Sequence, residues 1–132
     1  MTIPASLQKG LKLPVIAAPM FLVSGPDLVV EACNAGVIGT FPSLNQRTTE
    51  GYREWLKDIK ARLKPHAAAF GVNHIVHPTN PRLMADMMVS VEEQVPLIIT
   101  SLGAVRDGVE AGRLAAAHLA HAPSRLPPLR PA

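Results

Sequence analysis

Cysteine, aromatic residues and long apolar runs are all scarce in this sequence. Of its 132 residues, one is a cysteine, Cys33, and 4% are aromatic. A single cysteine excludes an intramolecular disulfide and is typical of a reducing compartment, and its place inside a predicted helix indicates a buried core residue rather than a nucleophile. No apolar run approaches the roughly 18 residues of a membrane span, and no signal-peptide pattern opens the chain. We therefore expect a soluble cytoplasmic protein without a membrane partner.

A concentrated block of positive charge is also missing. The net charge is +3, but residues 1–107 hold ten Lys and Arg against nine acids, and most of the excess comes from residues 108–132. No basic stripe interleaved with aromatic residues is found along the chain. Nucleic acid is therefore not expected as a partner.

The stretch from Leu13 to Thr40 predicts one complete β-α-β unit. Residues 14–20 form an almost unbroken apolar run, which is typical of a strand covered on both faces. Ser24 is predicted to cap the following helix, Pro26 to occupy its first turn and Gly36 to end it. The apolar run then resumes at residues 37–40, so the two strands are expected to be parallel and joined by a right-handed crossover.

The same alternation continues as far as residue 100. A helix capped at Thr48 or Thr49 is followed by a strand at residues 67–72, and a helix opened by Asn80 is followed by a strand at residues 96–100. The apolar stripes of these two helices are predicted to be Tyr52, Leu56, Ile59 and Leu63, and Leu83, Met84, Met87, Met88 and Val91. The fold class is therefore α/β, with four parallel strands in alternating β/α units and a further helix after Gly103.

The composition changes at residue 108. Residues 108–132 contain seven Ala, four Leu, three Arg and a proline-rich end. Residues 114–122 are predicted to be helical because alanine favours helix, the proline-rich end is predicted to be irregular, and no fifth strand is expected. We divide the chain into residues 1–107 and a tail, residues 108–132, that we interpret as a non-native extension.

In a parallel α/β sheet, ligands bind at the carboxyl ends of the strands. That rule selects a set of carbonyl, amide, hydroxyl and apolar groups with no carboxylate pair, which favours a planar heteroaromatic ligand over a metal or acid–base hydrolysis. The candidates are Pro19, Met20, Phe21, Ser43, Asn45, Asn73, His74, Thr100, Ser101 and Gly103.

At these residues the chain resembles the nitronate monooxygenase family, formerly the 2-nitropropane dioxygenases. The resemblance rests on LPVIAAPM at residues 13–20, NAGVIG at residues 34–39 and FGVN at residues 70–73, and it covers roughly residues 11–107. It implies the first half of an FMN-binding TIM barrel, in which intact relatives oxidise alkyl nitronates with molecular oxygen. Flavin-dependent enoyl-ACP reductases share two of these elements and are the alternative.

The resemblance also implies roles for individual residues. Pro19 and Met20 would line the flavin ring through backbone groups, Asn73 would hydrogen-bond FMN with its side chain, and Thr100 and Ser101 would lie near the flavin. The structural alternatives are a core position for Met20, a turn residue at Asn73 and a helix cap at Thr100 or Ser101.

The family's catalytic base is a histidine in a Gly-Gly-His segment, and glycine-rich loops hold its FMN phosphate. This chain has no Gly-Gly pair. No catalytic residue is therefore assigned, and the chain is predicted to be a truncated flavoprotein that is inactive alone. His74 is expected to be a solvated loop residue rather than a substitute base. The pairs His74 and His77, and His118 and His121, lack a third ligand, so no metal site is assigned.

Two further hypotheses stay open at this point. The first is a non-enzymatic half-barrel that forms a homo-oligomer through its exposed edges and apolar face. The second is a small doubly wound sheet that binds another nucleotide, although no glycine-rich phosphate-binding motif follows any predicted strand.

Overall fold

The computed structural model describes residues 2–103 and 117–120. The strands are β1 (Ile16–Ala17), β2 (Ile38–Pro42), β3 (Phe70–Ile75), β4 (Leu97–Ser101) and β5 (Ala117–Ala120). The helices are α1 (Ala5–Gln8), α2 (Pro26–Ala35), α3 (Thr49–Arg62) and α4 (Leu83–Glu92), with a 3₁₀ turn at Ser43–Asn45. None of the described helices is long and apolar enough to cross a membrane.

The five strands form one sheet in the order β1-β2-β3-β4-β5, and every neighbouring pair is parallel. Buried residues of α2, α3 and α4 share a single core with Phe41, Val72 and Ile98 of the sheet, so these three helices cover the same face. Strands in sequential order with helices on one face are the arrangement of a TIM barrel. The prediction of alternating β/α units equivalent to part of such a barrel is confirmed. The doubly wound alternative is wrong. In a doubly wound sheet the strand order reverses at one point and helices cover both faces, whereas the described strands follow one another in sequence.

The opposite face of the sheet, which we call the lumen face, carries a smaller core. Leu7 of α1 is buried there against Ile38 and Leu97, with Leu11 and Ile99 packed beside them. The single turn of α1 therefore covers the lumen face near the amino ends of the strands and leaves the carboxyl ends to the loops.

Local sequence signals explain the two best-defined helices. Pro26 occupies the first turn of α2, and Gly36 ends it with φ +98° and a backbone N–H that donates to the carbonyls of Ala32 and Cys33. Thr48 caps α3 by accepting a hydrogen bond from the Gly51 amide at 3.0 Å. These start and stop predictions are confirmed. So is the buried stripe of α3, of which Tyr52, Leu56 and Ile59 are fully buried and Leu63 is partly buried.

Two of the predicted helix caps are wrong. The Ser24 hydroxyl accepts a hydrogen bond from the Met20 amide at 2.9 Å, so it closes a loop and the N-cap position of α2 falls to Gly25. The Asn80 carbonyl oxygen accepts from the Arg82 amide, but its amide group donates to the Ile75 carbonyl and α4 begins two residues later. Both side chains satisfy turn backbone instead of a helix end.

The first strand and the last helix also differ from their predictions. Only residues 16 and 17 pair in β1, and Ile16 is 36% exposed because this strand lies at the edge of the described sheet. The expectation of a strand covered on both faces is therefore wrong for β1. In α4 the predicted stripe residues Met84 and Met88 are about half exposed, and the buried face carries Asp86 and Ser90 beside Met87.

The tail contains a strand where a helix was predicted. Residues 117–120 form β5, paired with β4 from Leu97↔Ala117 to Thr100↔Ala120, so the expectation that no fifth strand exists is wrong. Without β5, the edge of β4 would present unpaired backbone N–H and C=O groups. Hydrogen bonding to this edge outweighs the helix propensity of alanine. The helix predicted after Gly103, the rest of the predicted 114–122 helix and the proline-rich end lie outside the described residues.

Candidate functional site

The loops at the carboxyl ends of β1 to β4 bring together most of the residues that the sequence selected. The parallel register places Pro42 of β2, Asn73 of β3 and Ile99 of β4 side by side on the lumen face. The loop after β1 carries Pro19 and Met20 to the same end of the sheet. This end is where a (β/α) barrel binds its ligands.

The loop from Met20 to Ser24, here the Met20 loop, is held by hydrogen bonds that satisfy its own backbone. The Met20 amide donates to the Ser24 hydroxyl, and the Met20 carbonyl accepts from the Ser24 amide at 3.0 Å. Ser24 is buried, with 2% of its surface exposed. The polar backbone groups of Met20 are therefore engaged within the protein, and the exposed part of this residue is its side chain.

One side chain from the next loop clamps this segment. The Asn45 amide nitrogen donates to the carbonyl oxygens of Met20 at 2.9 Å and Ser24 at 2.8 Å, and the Asn45 carbonyl oxygen accepts from the Leu22 amide at 3.0 Å. All three partners lie on the Met20 loop. Asn45 thus joins the β1–α2 and β2–α3 connections at the carboxyl end of the sheet.

The Met20 loop exposes four apolar side chains to solvent. Met20, Phe21, Leu22 and Val23 are 43%, 69%, 78% and 67% exposed. Leu22 adopts a left-handed backbone with φ +60°, a conformation that costs a non-glycine residue about 1 kcal/mol. A strained loop that displays four consecutive apolar residues has the character of a contact surface for a ligand or another chain.

Asn73 and Ser101 lie together on the lumen face. Asn73 is in the fourth position of β3, is 6% exposed, and accepts a hydrogen bond from the Ser101 hydroxyl at 2.7 Å through its Oδ1 atom. Within residues 2–103, no hydrogen bond is made by the Asn73 amide nitrogen. This nearly buried N–H donor group and the neighbouring hydroxyl are suited to the carbonyl and nitrogen acceptors of a planar heteroaromatic ring.

Thr100 lies on the other face of the sheet. It pairs in register with His74 and lies two residues after Ile98, so by the alternation of the strand it shares the helix-covered face with both, and it is 4% exposed. Among the described residues its hydroxyl oxygen has no hydrogen-bond partner. The side chains of Thr100 and Ser101 therefore do not meet, and only Ser101 points to the same side of the sheet as Asn73.

His74 is a buried strand residue, not the solvated loop histidine that we expected from the sequence. It is fully buried on the helix side of β3, with Nδ1 3.1 Å from the Ser43 hydroxyl and Nε2 2.8 Å from the Ser90 hydroxyl. The strand extends three residues beyond its predicted end, to Ile75, and this extension takes His74 into the core.

The hydrogen bonds around His74 select one tautomer. The Ser90 hydroxyl donates to the Asp86 carbonyl and lies 2.8 Å from the Tyr52 hydroxyl, so it accepts from His74 Nε2–H, and Nδ1 accepts from Ser43. Burial lowers the pKa of His74 to about 4, although nearby Asp86 acts in the opposite direction. A neutral imidazole behind the sheet cannot reach a ligand on the lumen face, so His74 is not a base for such a ligand.

Cys33 is fully buried, as the sequence predicted. Burial raises the pKa of its thiol, and a hydrogen bond from the Gly39 amide opposes that rise.

His77 is exposed on the β3–α4 loop, where its Nδ1 atom lies 2.8 Å from the Thr79 hydroxyl. Within the described residues no three His, Cys, Asp or Glu side chains converge.

A shallow groove of about 380 Å³ lies beside the β3–α4 loop. Its walls are mostly apolar and include Val76, Leu83 and Met84, with His77 and Asn80 as the polar members. The Asn80 side chain is already used by the turn that it stabilises. The groove therefore offers apolar contact and little polar recognition.

The fold has counterparts among solved structures. FabK from Thermotoga maritima matches with a TM-score of 0.68 and 18% sequence identity, over 84% of this chain and 34% of FabK. A methionine-to-alanine mutant of the same protein matches with a TM-score of 0.65 and 19% identity, over 79% of this chain and 33% of the mutant chain. The fold is similar to that of FabK. This chain spans about a third of the length of those FabK chains.

No protein-family model matches the sequence, and no curated protein matches it. At these identities the likeness to FabK concerns the fold. It agrees with the sequential parallel strands and one-sided helices described above.

Sequence reasoning missed the role of Asn45. The residue was selected only because it follows β2, and no local pattern indicates that its side chain reaches back 21 to 25 residues to the Met20 loop. The one available signal was position, since the loops after adjacent parallel strands meet at the same end of a sheet.

Proposed function

We propose that this chain contributes the Met20 loop, Asn73 and Ser101 to the flavin site of an FMN-dependent oxidoreductase barrel of the nitronate monooxygenase type. The observation that carries the proposal is the placement of Asn73, whose nearly buried amide group faces the lumen at the carboxyl end of β3. The sequence resemblance assigns a flavin contact to this same asparagine, and the FabK-like fold supports a ligand at this end of the sheet.

The donor set fits a flavin ring. Asn73 supplies N–H donors, Ser101 orients the Asn73 amide by donating to its Oδ1 atom, and Pro19 and Met20 supply apolar contact. Because the Met20 amide and carbonyl are engaged within their loop, we propose that Met20 packs against the ring with its side chain. Thr100 would approach the ring through its backbone alone, since its side chain faces the helices.

When bound, FMN would accept electrons from a nitronate and pass them to oxygen. The residues of this chain would orient the ring and exclude water from one side of it. Without a Gly-Gly-His segment, the chain has no counterpart of the family's proton-abstracting histidine. We therefore expect FMN binding without nitronate oxidation by this chain alone.

A titration with FMN tests this proposal. Flavin fluorescence should be quenched on binding, and Asn73→Ala should weaken binding about tenfold through the loss of one hydrogen bond worth about 1.4 kcal/mol. Asn34→Ala is the control, because Asn34 is a half-buried asparagine in the last turn of α2, where its side chain accepts a hydrogen bond from the Lys64 amide and none of the proposed flavin contacts lies. Failure of the wild-type protein to bind FMN, or equal affinity for wild type and Asn73→Ala, would overturn the proposal.

A second candidate function, self-association, is favoured by the exposed apolar residues at the β1 edge. Leu13, Val15 and Ile16 are 58%, 50% and 36% exposed, and β1 has a strand neighbour on one side only among the described strands. An open edge flanked by apolar side chains is a surface on which two chains can pair.

A further inference from the structure

We infer that Asn45 is a positioning residue that builds the contact surface of the Met20 loop for the flavin site. The inference rests on the proposed function and adds to it a residue for which the sequence resemblance implies no role. It starts from the three hydrogen bonds that the Asn45 side chain makes to the backbone of Met20, Leu22 and Ser24.

These three bonds use both ends of the Asn45 amide. Its nitrogen spans the two carbonyls that open and close the loop, and its oxygen binds the Leu22 amide between them. Leu22 is the residue with φ +60°, so the clamp holds the one left-handed position of the loop. An amide side chain provides both donors and an acceptor at this length, whereas an aspartate provides acceptors only.

Asn45 is itself held from the helix side of the sheet. It ends the 3₁₀ turn that begins at Ser43, which is fully buried and bonded to His74. On its other side, the Arg82 guanidinium of the β3–α4 connection donates to the Gln46 carbonyl at 2.6 Å. The clamp is therefore anchored to buried residues behind the sheet as well as to the neighbouring connection.

The three Asn45 hydrogen bonds would order the Met20 loop for contact with a ligand. The Met20 loop presents four exposed apolar side chains at the same end of the sheet as Asn73, while the backbone groups of Met20 and Ser24 are bonded within the protein. Fixing such a surface before the ligand arrives removes the ordering cost from the binding step. Loss of the clamp should therefore weaken FMN binding without removing any atom that contacts FMN.

Two measurements on Asn45→Ala, Asn45→Asp and the control Asn34→Ala test this inference. The first is hydrogen exchange at the Leu22 amide, together with chymotrypsin cleavage after Phe21. The second is the FMN titration, with the visible absorption band of bound FMN recorded for each variant, because that band reports the surroundings of the ring.

Asn45→Ala should speed exchange at Leu22, weaken FMN binding about tenfold and alter the band of bound FMN. Asn45→Asp keeps an acceptor for the Leu22 amide, so exchange there should change less, but FMN binding should still weaken because two carbonyls lose their donor. Asn34→Ala should match wild type in both measurements.

Each of the other outcomes overturns the inference. Faster exchange with unchanged FMN binding would show that the Met20 loop lies outside the flavin site. Unchanged exchange in Asn45→Ala would show that the clamp does not order the loop, and loss of the cooperative unfolding transition in both Asn45 variants would assign Asn45 to the fold as a whole. If wild type binds no FMN, the proposed function itself fails, and that result is separate from failure of the variants alone.

Discussion

At the scale of single residues, His74 stands out because its buried imidazole must stay neutral in the folded protein. Its pKa is lowered to about 4 by burial, against about 6.5 for an unfolded chain. Between pH 4 and pH 6.5, His74 is therefore protonated in the unfolded state and neutral in the folded state. The stability that follows is fully present above pH 6.5 and is lost as the pH falls toward 4.

We expect the free energy of unfolding to decrease by roughly 1–2 kcal/mol between pH 7 and pH 5 because of this residue, a part of the about 3 kcal/mol that the full pKa difference implies. Urea unfolding at the two pH values measures the decrease. His74→Gln should reduce the pH dependence even if it lowers stability at both values. His66→Gln, the same change at an exposed histidine, is the control. An equal decrease in the free energy of unfolding between pH 7 and pH 5 for wild type and His74→Gln would contradict the assignment of this pH dependence to His74.

At the scale of secondary-structure elements, close contact between α2 and β2 depends on Gly39. A Cβ atom added to Gly39 would lie 2.6 Å from the Val29 carbonyl oxygen and 2.8 Å from the Val29 Cα atom. Both are backbone atoms, so the clash can be relieved only by moving helix α2 away from strand β2. This explains a glycine in the 34–39 segment by packing.

Gly39→Ala should therefore destabilise the protein by about 1–3 kcal/mol, the usual cost of overpacking a filled core. Gly25→Ala is the control, since its added Cβ would have only the Trp55 side chain nearby, at 3.9 Å, and should cost less than about 1 kcal/mol. Urea unfolding of both variants gives the comparison. Similar costs for the two would show that α2 can shift on β2 without penalty.

The helices and strands themselves were largely predictable, because the signals that define them are local. Thr48, Pro26 and Gly36 act within one helical turn of their own positions, and the face of α3 follows from spacing alone. The errors came where loop backbone competes for a capping side chain or where packing in the folded chain decides. Ser24 and Asn80 bind loop backbone, Met84 and Met88 face solvent, and residues 117–120 pair with an open strand edge.

The candidate site was predictable only as a location. The carboxyl ends of parallel strands converge in any such fold, so Asn73 and Ser101 were expected near that end, and both lie in the second half of their strands. Which face each side chain takes depends on where the strand begins and ends. Extension of β3 to Ile75 placed His74 behind the sheet, and the alternation of β4 did the same for Thr100.

At the scale of the whole molecule, the self-association proposed above would use the β1 edge, which has a strand neighbour on one side only among the described strands. Replacing Leu13 and Val15 with lysine should shift a self-associating protein toward the 14.1 kDa monomer, because charge at an exposed edge opposes strand pairing. Sedimentation velocity over a range of concentrations measures the shift. Leu28→Lys with Met88→Lys, at exposed apolar positions on the helices, should leave the distribution unchanged. A wild-type protein that sediments as a monomer at every concentration would remove this second function.

The sequential order of the strands has a consequence for biosynthesis. Each strand pairs with the one that precedes it in the chain, so β2, β3 and β4 each find their partner already made when they leave the ribosome. Within the described sheet, no strand must wait for a segment that is translated much later, and the contacts formed first are local in sequence. The nascent chain can thus lengthen its sheet one unit at a time, and during translation the β1 edge and the growing edge are the two that other chains could reach.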